Sequence, residues 1–357
     1  MKALGKEYAL FISIIALVLF TLYEHTLAET NMGNIVGFLV LFMVIIYASL
    51  AVAHHAEMLA EKFGEPYGTL ILTMSAVAVE VMIIAIMMLQ SQNPVLARDT
   101  IYSAIMLDIN GLLGISAIIG GLKFGEQPYN VDSSNSYMSM LLVAIGLSMV
   151  LPHFITGEMH QNMFMIFIVV IFILLYLVFT KIQLKNHRYF FEYKGEDSTN
   201  DEPHEEGYIN GWYHATLLIV YIFIIGFMAE ILAVFMEHNL EHLGLPLALG
   251  AVSVALISAS PELIVAFRSA LKNNMQTVIN IALGASLATI LLTVPAVIII
   301  AYLANMELNM AIPPLEGFLL GLTLLVSIVN FNDGETNVLE GFLHFILFIA
   351  FAFVLFL

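Results

Sequence analysis

Long runs of apolar residues, separated by short polar or turn-forming segments, cover almost the whole chain. At about 1.5 Å per residue, about 20 residues of apolar helix cross the ~30 Å hydrocarbon core of a bilayer. This pattern predicts an all-α integral membrane protein with eleven transmembrane helices, at 8–23, 34–58, 67–89, 100–122, 137–156, 162–182, 212–236, 246–267, 276–303, 312–330 and 338–357.

Composition narrows the class of protein further. Of the 357 residues, 61% are hydrophobic and only 11% are charged, and the mean hydropathy of +0.95 is typical of a membrane protein. The net charge of −17 argues against nucleic acid or anionic lipid as a partner. Because the chain has no cysteine, disulfides, thiolate metal sites and cysteine nucleophiles are excluded.

The distribution of Lys and Arg predicts the orientation, because cytoplasmic loops hold most of the positive charge. With the N-terminus in the cytoplasm, eleven helices place ten of the eleven basic residues on the cytoplasmic side and only Arg98 outside. The C-terminus is then outside, and the membrane is expected to be a prokaryotic inner membrane. An alternative for the first run is a signal peptide, since two lysines precede it and a Thr-Leu-Ala tripeptide follows it.

Two glutamates inside apolar runs are the main candidates for chemistry. Glu80 lies within Tyr67–Leu89, and Glu262 lies within Pro246–Arg268. A carboxylate in the hydrocarbon core costs ~2.5–3.5 kcal/mol on insertion scales, so it normally faces the bundle interior and marks an ion or proton route. The alternative is a structural glutamate that stays protonated or pairs with a neighbour.

A repeated motif relates the two halves of the chain. Residues 56–66 read AEMLAEKFGEP and residues 236–246 read MEHNLEHLGLP, each directly before a helix that carries one of the two glutamates. Helix counting gives the halves opposite orientations, as in secondary transporters whose site lies between inverted repeats. The predicted division is a leading helix (1–30), a first five-helix repeat (31–185), an acidic cytoplasmic loop (186–210) and a second five-helix repeat (211–357).

Oxygen ligands are expected close to Glu262. Pro261 lacks an N–H group and would free the carbonyl near Ile257 to face a cation, the alternative being an ordinary proline kink. The hydroxyls of Ser258 and Ser260 either supply further oxygens or bond back to their own helix.

The helices that follow the two glutamates offer further ligands. Asp108 and Asn110 are about 200° apart around a helix, so at most one faces the cation, and Asn110 is preferred. In the second half, Ser286 or Thr289 is the corresponding candidate, with helix packing as the alternative role.

Several titratable residues are candidates for a proton relay to the site. His54, His55 and Glu57 lie near the end of the second helix, and Glu230 lies inside the seventh. Histidine titrates near neutrality, which suits proton transfer, although packing or a helix-end hydrogen bond is the alternative for each residue. The acidic segment 192–206 is interpreted as a solvated loop that could concentrate divalent cations, since it lacks the register of an EF-hand.

Several segments also carry a family resemblance: HHAEMLAEKFGEPYGTLILT, AVEVMII, LARDT, NGLLG, SPELIVAFRSAL, ALGASLATILLTVPAV and TNVLEGFLH. They resemble bacterial calcium/proton antiporters of the ChaA type, in the cation/calcium exchanger superfamily. The resemblance implies that Glu80 and Glu262 bind the cation and exchange it for protons, with Asn110 as an amide ligand. The chain departs from plant and fungal members, which have a Gly-Asn pair before the Glu, and it lacks a side-chain amide near Ser286.

The predicted function is Ca²⁺/H⁺ antiport that moves Ca²⁺ out of the cytoplasm. Ca²⁺ takes about 6–8 oxygens, of which two carboxylates supply at most four. Burial disfavours the charged form of a carboxyl group, so Ca²⁺ and protons compete for the same two charges.

Other functions remain open at this point. Na⁺ or K⁺ in exchange for protons is the alternative within transport, and a passive cation channel is the alternative of another class. An enzyme is not expected, because the chain lacks HExxH and GxSxG motifs. No cofactor is expected, and the partners are the lipid bilayer and the transported cations.

Overall fold

The chain folds almost entirely into helices. The computed structural model describes residues 7–63, 67–155, 157–183, 210–244, 246 and 248–356. The helices of the first half are α1 Tyr8–Ala28, α2 Asn31–Phe63, α3 Tyr67–Ser91, α4 Leu96–Met106, α5 Leu113–Phe124, α6 Val131–Ile145 and α7 Glu158–Lys181. Those of the second half are α8 Gly211–Leu243, α9 Ala248–Ala270, α10 Met275–Ala288, α11 Val294–Leu303, α12 Pro314–Asn330 and α13 Val338–Val354.

The described helices have the lengths and compositions that the hydropathy pattern predicts. Nine of the spans in the described ranges are long and apolar enough to cross a membrane, and α12 and α13 are shorter apolar helices. The predicted fold class, one leading helix and two inverted five-helix repeats, is therefore confirmed. The domain boundaries and the sidedness stay predictions, and the acidic loop, Gly64 and Pro66 lie outside the described residues.

π-helical turns interrupt the same helix of each half. Leu107–Leu112 joins α4 to α5 in one span, and Thr289–Thr293 joins α10 to α11 in another. A third π-helical turn, Gly146–Val150, extends α6. Because π turns insert an extra residue into the helical ladder and occur frequently at functional sites, the first two direct attention to the helices that follow the Glu-bearing α3 and α9.

Three turns meet at one end of the bundle and tie the two halves together. Gln127–Pro128 pairs with Glu335–Thr336 in a two-stranded antiparallel sheet. The Gln127 side chain also donates to the carbonyl of Ala270 at 3.2 Å and to Asn273 Oδ1 at 3.0 Å. These contacts place the turns after α5, α9 and α12 together, as the predicted topology requires.

The opposite end of the bundle is covered by the segment before α12. Arg98 forms an ion pair with Asp99 at 2.7 Å and donates to the carbonyl of Ala311 at 2.9 Å. The backbone of residues 309 and 312 also bonds to the backbone of residues 94 and 149. Polar contacts therefore close this end.

Helix α13 packs against α5 at backbone distance. A Cβ added at Gly341 would lie 2.7 Å from the backbone nitrogen of Ile118 and 2.8 Å from the carbonyl oxygen of Gly114. A Cβ added at Gly114 would lie 3.0 Å from the backbone nitrogen of Phe345. Small residues that let backbones approach closely are a common device of membrane helix packing, and here they fix α13 against the span that contains the first π turn.

We expect Gly341→Ala to destabilise the protein by about 1–3 kcal/mol, the usual cost of overpacking a close contact. Thermal unfolding in detergent measures the effect as a lower Tm. The matched control is Gly321→Ala in α12, where an added Cβ would have no described atom within 4 Å. Since alanine has the higher helix propensity, the control should unfold at the same temperature or a higher one, and equal losses in both variants would contradict the packing argument.

Candidate functional site

A cavity of about 240 Å³ lies between helices of both halves. Its wall includes three carboxylates: Glu80 of α3, Asp108 of the first π turn and Glu262 of α9. The cavity also reaches Glu57, which is exposed near the end of α2. The cavity therefore opens at the end of the bundle where α2 ends and α3 begins.

The structure brings the two predicted glutamates to one cavity. Glu80 is the 14th of 25 residues in α3, and Glu262 is the 15th of 23 in α9. Glu80 lies near the middle of its helix, whereas Glu262 lies about one turn past the middle, nearer the C-terminal end of α9. Both side chains line the cavity, one from each half of the chain.

The carboxylate of Glu80 accepts hydrogen bonds from the opposite half of the chain. Thr293 Oγ1 donates to it at 2.7 Å, and Thr289 Oγ1 lies 3.0 and 3.1 Å from its two oxygens. These threonines are the first and last residues of the second π turn. Since Glu80 is 5% exposed, the two hydroxyls replace donors that water would otherwise provide.

Asp108 is the third carboxylate of the cavity. Its Oδ2 accepts from Ser286 Oγ at 3.1 Å, again from the other half. Its Oδ1 is buried and has no hydrogen-bond partner among the described residues. An unpartnered buried acceptor is costly, so this oxygen is free to bind a cation or to carry a proton.

The preference for Asn110 over Asp108 is wrong as regards the cavity. Asp108 lines it and Asn110 does not. The amide of Asn110 instead donates to Thr323 Oγ1 at 2.8 Å and lies 3.1 Å from His344 Nδ1. Residues two apart point to opposite sides of a helix, but which side faces the cavity is decided by the packing of α12 and α13.

The expected free carbonyl at Ile257 is also wrong. Helix α9 continues through Pro261, and Ser260 Oγ donates to the carbonyl of Ile257 at 2.8 Å. The serine hydroxyl thus replaces the N–H group that proline lacks. Ser258 does line the cavity, while its hydroxyl donates to the carbonyl of Ala255 at 3.0 Å, which leaves the oxygen lone pairs available.

Of the four residues considered for a proton relay, the structure brings only Glu57 to the cavity. His54 and Glu230 are exposed elsewhere. His55 is buried between α2 and α8, with its Nδ1 at 2.9 Å from His214 Nδ1 and its Nε2 at 3.4 Å from Glu7. It therefore belongs to a polar contact that joins α2 and α8 to the start of α1.

Two cavity-related residues escaped the sequence analysis. Thr293, a donor to Glu80, was not singled out. Asn280 lines the cavity from a helix that was described as lacking a side-chain amide near Ser286. A sequence signal for Asn280 exists: NGLLGIS at 110–116 and NIALGAS at 280–286 share Asn, Leu, Gly and Ser at the same spacing. Asn280 accepts from Gln276 at 2.9 Å.

In the state described, the carboxylates line the cavity without being gathered around one point. Among the described residues, no group of three or more His, Asp or Glu side chains is close enough to hold a metal ion. A cation in this cavity would therefore need water as part of its coordination, or a tightening of the helices around it.

Comparison with known proteins decides the family. The sequence profile described as "Sodium/calcium exchanger protein" matches residues 33–185 and 213–357. The chain belongs to this family of exchangers. A relative of the exchanger is the sodium-potassium/proton antiporter ChaA of Escherichia coli (strain K12), 34% identical over 99% of this chain and 98% of the relative. Another is the Ca²⁺/H⁺ antiporter ChaA of Bacillus subtilis (strain 168), 26% identical over 85% of this chain and 88% of the relative.

Solved structures share the fold of the exchanger. Native YfkE superposes with a TM-score of 0.77 at 20% identity, covering 96% of this chain and 99% of that chain. The sodium-calcium exchanger NCX_Mj superposes with a TM-score of 0.55 at 16% identity, covering 88% of this chain and 96% of that one. The helices of the exchanger are therefore arranged as in these proteins.

The absence of native cysteine makes water access to the cavity directly measurable. We expect the thiol of Ala53→Cys, on the cavity wall of α2, to react with a membrane-impermeant maleimide. The control is Ile45→Cys on the same helix, where the side chain is fully buried outside the cavity. Water access should give a rate difference on the order of tenfold, and equal labelling would contradict the cavity. The side of the membrane from which labelling occurs also tests the predicted orientation.

Proposed function

We propose that the exchanger carries Ca²⁺ across the membrane in exchange for protons, with Glu80 and Glu262 as the shared binding site. The observation that supports this most directly is that each half contributes a glutamate to the same cavity, Glu80 buried and Glu262 half-buried. A carboxylate in this position must be neutralised, because its charge is poorly stabilised away from water. Either a bound cation or a proton can neutralise the carboxylate. The two compete because both bind the same oxygens.

The oxygens around the cavity match the preferences of a hard cation. Ca²⁺ takes about 6–8 oxygen ligands at about 2.3–2.6 Å in flexible geometry. The carboxylates of Glu80, Glu262 and Asp108 offer up to six, and Ser258 and Asn280 lie on the same wall. Water that enters past Glu57 can complete the shell. Two protons for one Ca²⁺ move no net charge, so this stoichiometry is insensitive to membrane potential.

The shape of the cavity supports alternating access. It opens near Glu57, whereas contacts of Arg98 with Asp99 and Ala311 close the other end. With the N-terminus in the cytoplasm, as the charge distribution predicts, the open end faces the cytoplasm. This state loads Ca²⁺ from inside, and a rearrangement between the repeats releases it outside. An inward proton gradient then drives net Ca²⁺ extrusion.

A second candidate is exchange of Na⁺ or K⁺ for protons. It is favoured by the E. coli relative, which is named a sodium-potassium/proton antiporter. The same carboxylates would serve, because a monovalent cation also binds oxygen ligands. One proton then balances one cation.

Replacement of either glutamate by the isosteric amide is expected to abolish exchange. Glu80→Gln and Glu262→Gln each remove a negative charge that interacts with the cation by about 4 kcal/mol per unit of cation charge, at 4 Å and an effective dielectric constant of 20. Cation affinity should therefore fall at least about 100-fold. Proton release from proteoliposomes on addition of Ca²⁺, Na⁺ or K⁺, followed with an internal pH-sensitive dye, measures the loss.

The matched control is Glu230→Gln, which removes an exposed glutamate that does not line the cavity. It should exchange at the wild-type rate. Exchange at the wild-type rate in either Glu80→Gln or Glu262→Gln would refute the assigned site. Cation flux without any proton counterflow in the wild type would instead identify a channel.

The same vesicles distinguish the two substrates. We expect Ca²⁺ to elicit proton movement at lower concentration than Na⁺ or K⁺, because three carboxylates on one cavity stabilise a divalent charge more strongly. Competition measurements, in which one cation is held constant and the second is varied, give the order of affinity. A preference for Na⁺ or K⁺ over Ca²⁺ would favour the monovalent alternative.

A further inference from the structure

A buried histidine of the last helix supports the first π turn from the side opposite the cavity. His344 of α13 is fully buried, and its ring stacks on Phe331 at 5.6 Å with an interplanar angle of 9°. Its Nδ1 lies 3.1 Å from Oδ1 of Asn110 in the π turn. A histidine here has no place in the transport site described above, and it lies outside the cavity lining.

The hydrogen bonds around Asn110 have a defined direction. Its Nδ2 donates to Thr323 Oγ1 at 2.8 Å and lies 3.6 Å from Met106 Sδ. Its Oδ1 therefore accepts from His344, and the imidazole carries its proton on Nδ1. Because both the NH₂ group and the oxygen of the amide are hydrogen-bonded, Asn110 could bind a cation only by breaking one of these bonds. The amide joins the first half of the chain to two helices of the second.

Asn110 and Asp108 lie in the same six-residue π turn, on opposite sides. A π turn disrupts the regular hydrogen-bond ladder, so its geometry depends on what packs against it. Helix α13 is a rigid support, since it meets α5 at backbone distance through Gly114 and Gly341. Any shift of the Asn110 amide would rotate the turn and move the Asp108 carboxylate within the cavity.

We propose that His344 is a positioning residue, which acts through Asn110 to fix the π turn and thereby the placement of the Asp108 carboxylate. The inference rests on the proposed function only in that Asp108 contributes to cation binding. A purely structural pair would be served equally well by apolar side chains of similar volume, which bury at lower cost than an amide and an imidazole. A directional hydrogen bond defines the rotation of the π turn, which apolar packing does not.

The test compares two substitutions that differ in where they keep a donor. His344→Asn retains an N–H group at the position of Nδ1, one bond beyond Cγ, whereas His344→Gln moves it to the position of Nε2. We expect His344→Gln to raise the KM for Ca²⁺ about fivefold, the effect of one lost hydrogen bond, with the maximal rate little changed. His344→Asn should stay close to the wild-type KM. Equal effects of the two substitutions would overturn the proposal.

A double-mutant cycle with Asp108→Asn separates positioning from general destabilisation. If His344 acts through the Asp108 carboxylate, His344→Gln should change KM less than twofold once that carboxylate is gone, since the two effects are coupled. The same fold-change in both backgrounds would overturn the proposal, as would an unchanged KM in Asp108→Asn alone. Neither result would affect the site formed by Glu80 and Glu262, which their own substitutions test.

A second substitution in the same hydrogen-bond network tests the proposal if His344→Gln does not fold. Thr323→Val removes the other partner of the Asn110 amide from α12 with little change in volume. It should raise the KM for Ca²⁺ to a similar extent and lose that effect in the Asp108→Asn background. A wild-type KM in Thr323→Val would overturn the proposal. Detergent chromatography and Tm establish that each variant compared is folded.

Discussion

A carboxylate held away from water has to be neutralised, and this requirement organises the structure around Glu80 and Glu262. Neither half of the chain alone provides the hydrogen-bond donors for its own carboxylates. Glu80 projects from α3 in the first half, and both hydroxyls that bond to it come from the π turn between α10 and α11. Asp108 of the first half likewise accepts from Ser286 of the second. The polar contacts that stabilise these carboxylates therefore also join the two repeats.

The surrounding helices keep these groups in place in different ways. At one end, the side chain of Gln127 links the turns after α5 and α9, and a short sheet adds the turn after α12. Along α5, close backbone packing against α13 fixes the span that carries Asp108. Helices α2 and α8 are longer, at 33 residues each, and polar side chains near Glu7 join them at one end. The cavity lies between α2 on one side and α3, α9 and α10 on the other.

Much of the fold could be predicted from the sequence, because the bilayer imposes simple rules. Apolar length gives the number of helices, and an odd number of helices per half inverts the second repeat. The cost of a buried carboxylate identified Glu80 and Glu262 without any knowledge of their surroundings. These arguments use only properties of single helices, which the sequence contains in full.

The predictions that were wrong depend on contacts between helices. Asp108 and Asn110 both carry oxygen ligands, and the contacts of Asn110 with Thr323 and His344 turn Asn110 away from the cavity. The carbonyl of Ile257 was expected to be free, but the neighbouring Ser260 bonds to it. Asn280 could have been found by aligning NIALGAS with NGLLGIS. That signal lies in the spacing of residues within the helix, whereas the predicted ligands were the hydroxyl residues Ser286 and Thr289.

The hydrogen bonds from second-half hydroxyls to first-half carboxylates have a consequence for the evolution of such a molecule. Inverted repeats of equal helix number suggest an ancestral homodimer, in which two copies of one half faced each other. In the alignment of NGLLGIS with NIALGAS, the first-half counterparts of Thr289 and Thr293 are Ile119 and Lys123, so a dimer of the present first half would lack both hydroxyls that donate to Glu80. The second half similarly lacks a counterpart to the Asp108 carboxylate. Neither half could therefore form these contacts with a second copy of itself, and a change at either side of a contact is felt by the other half.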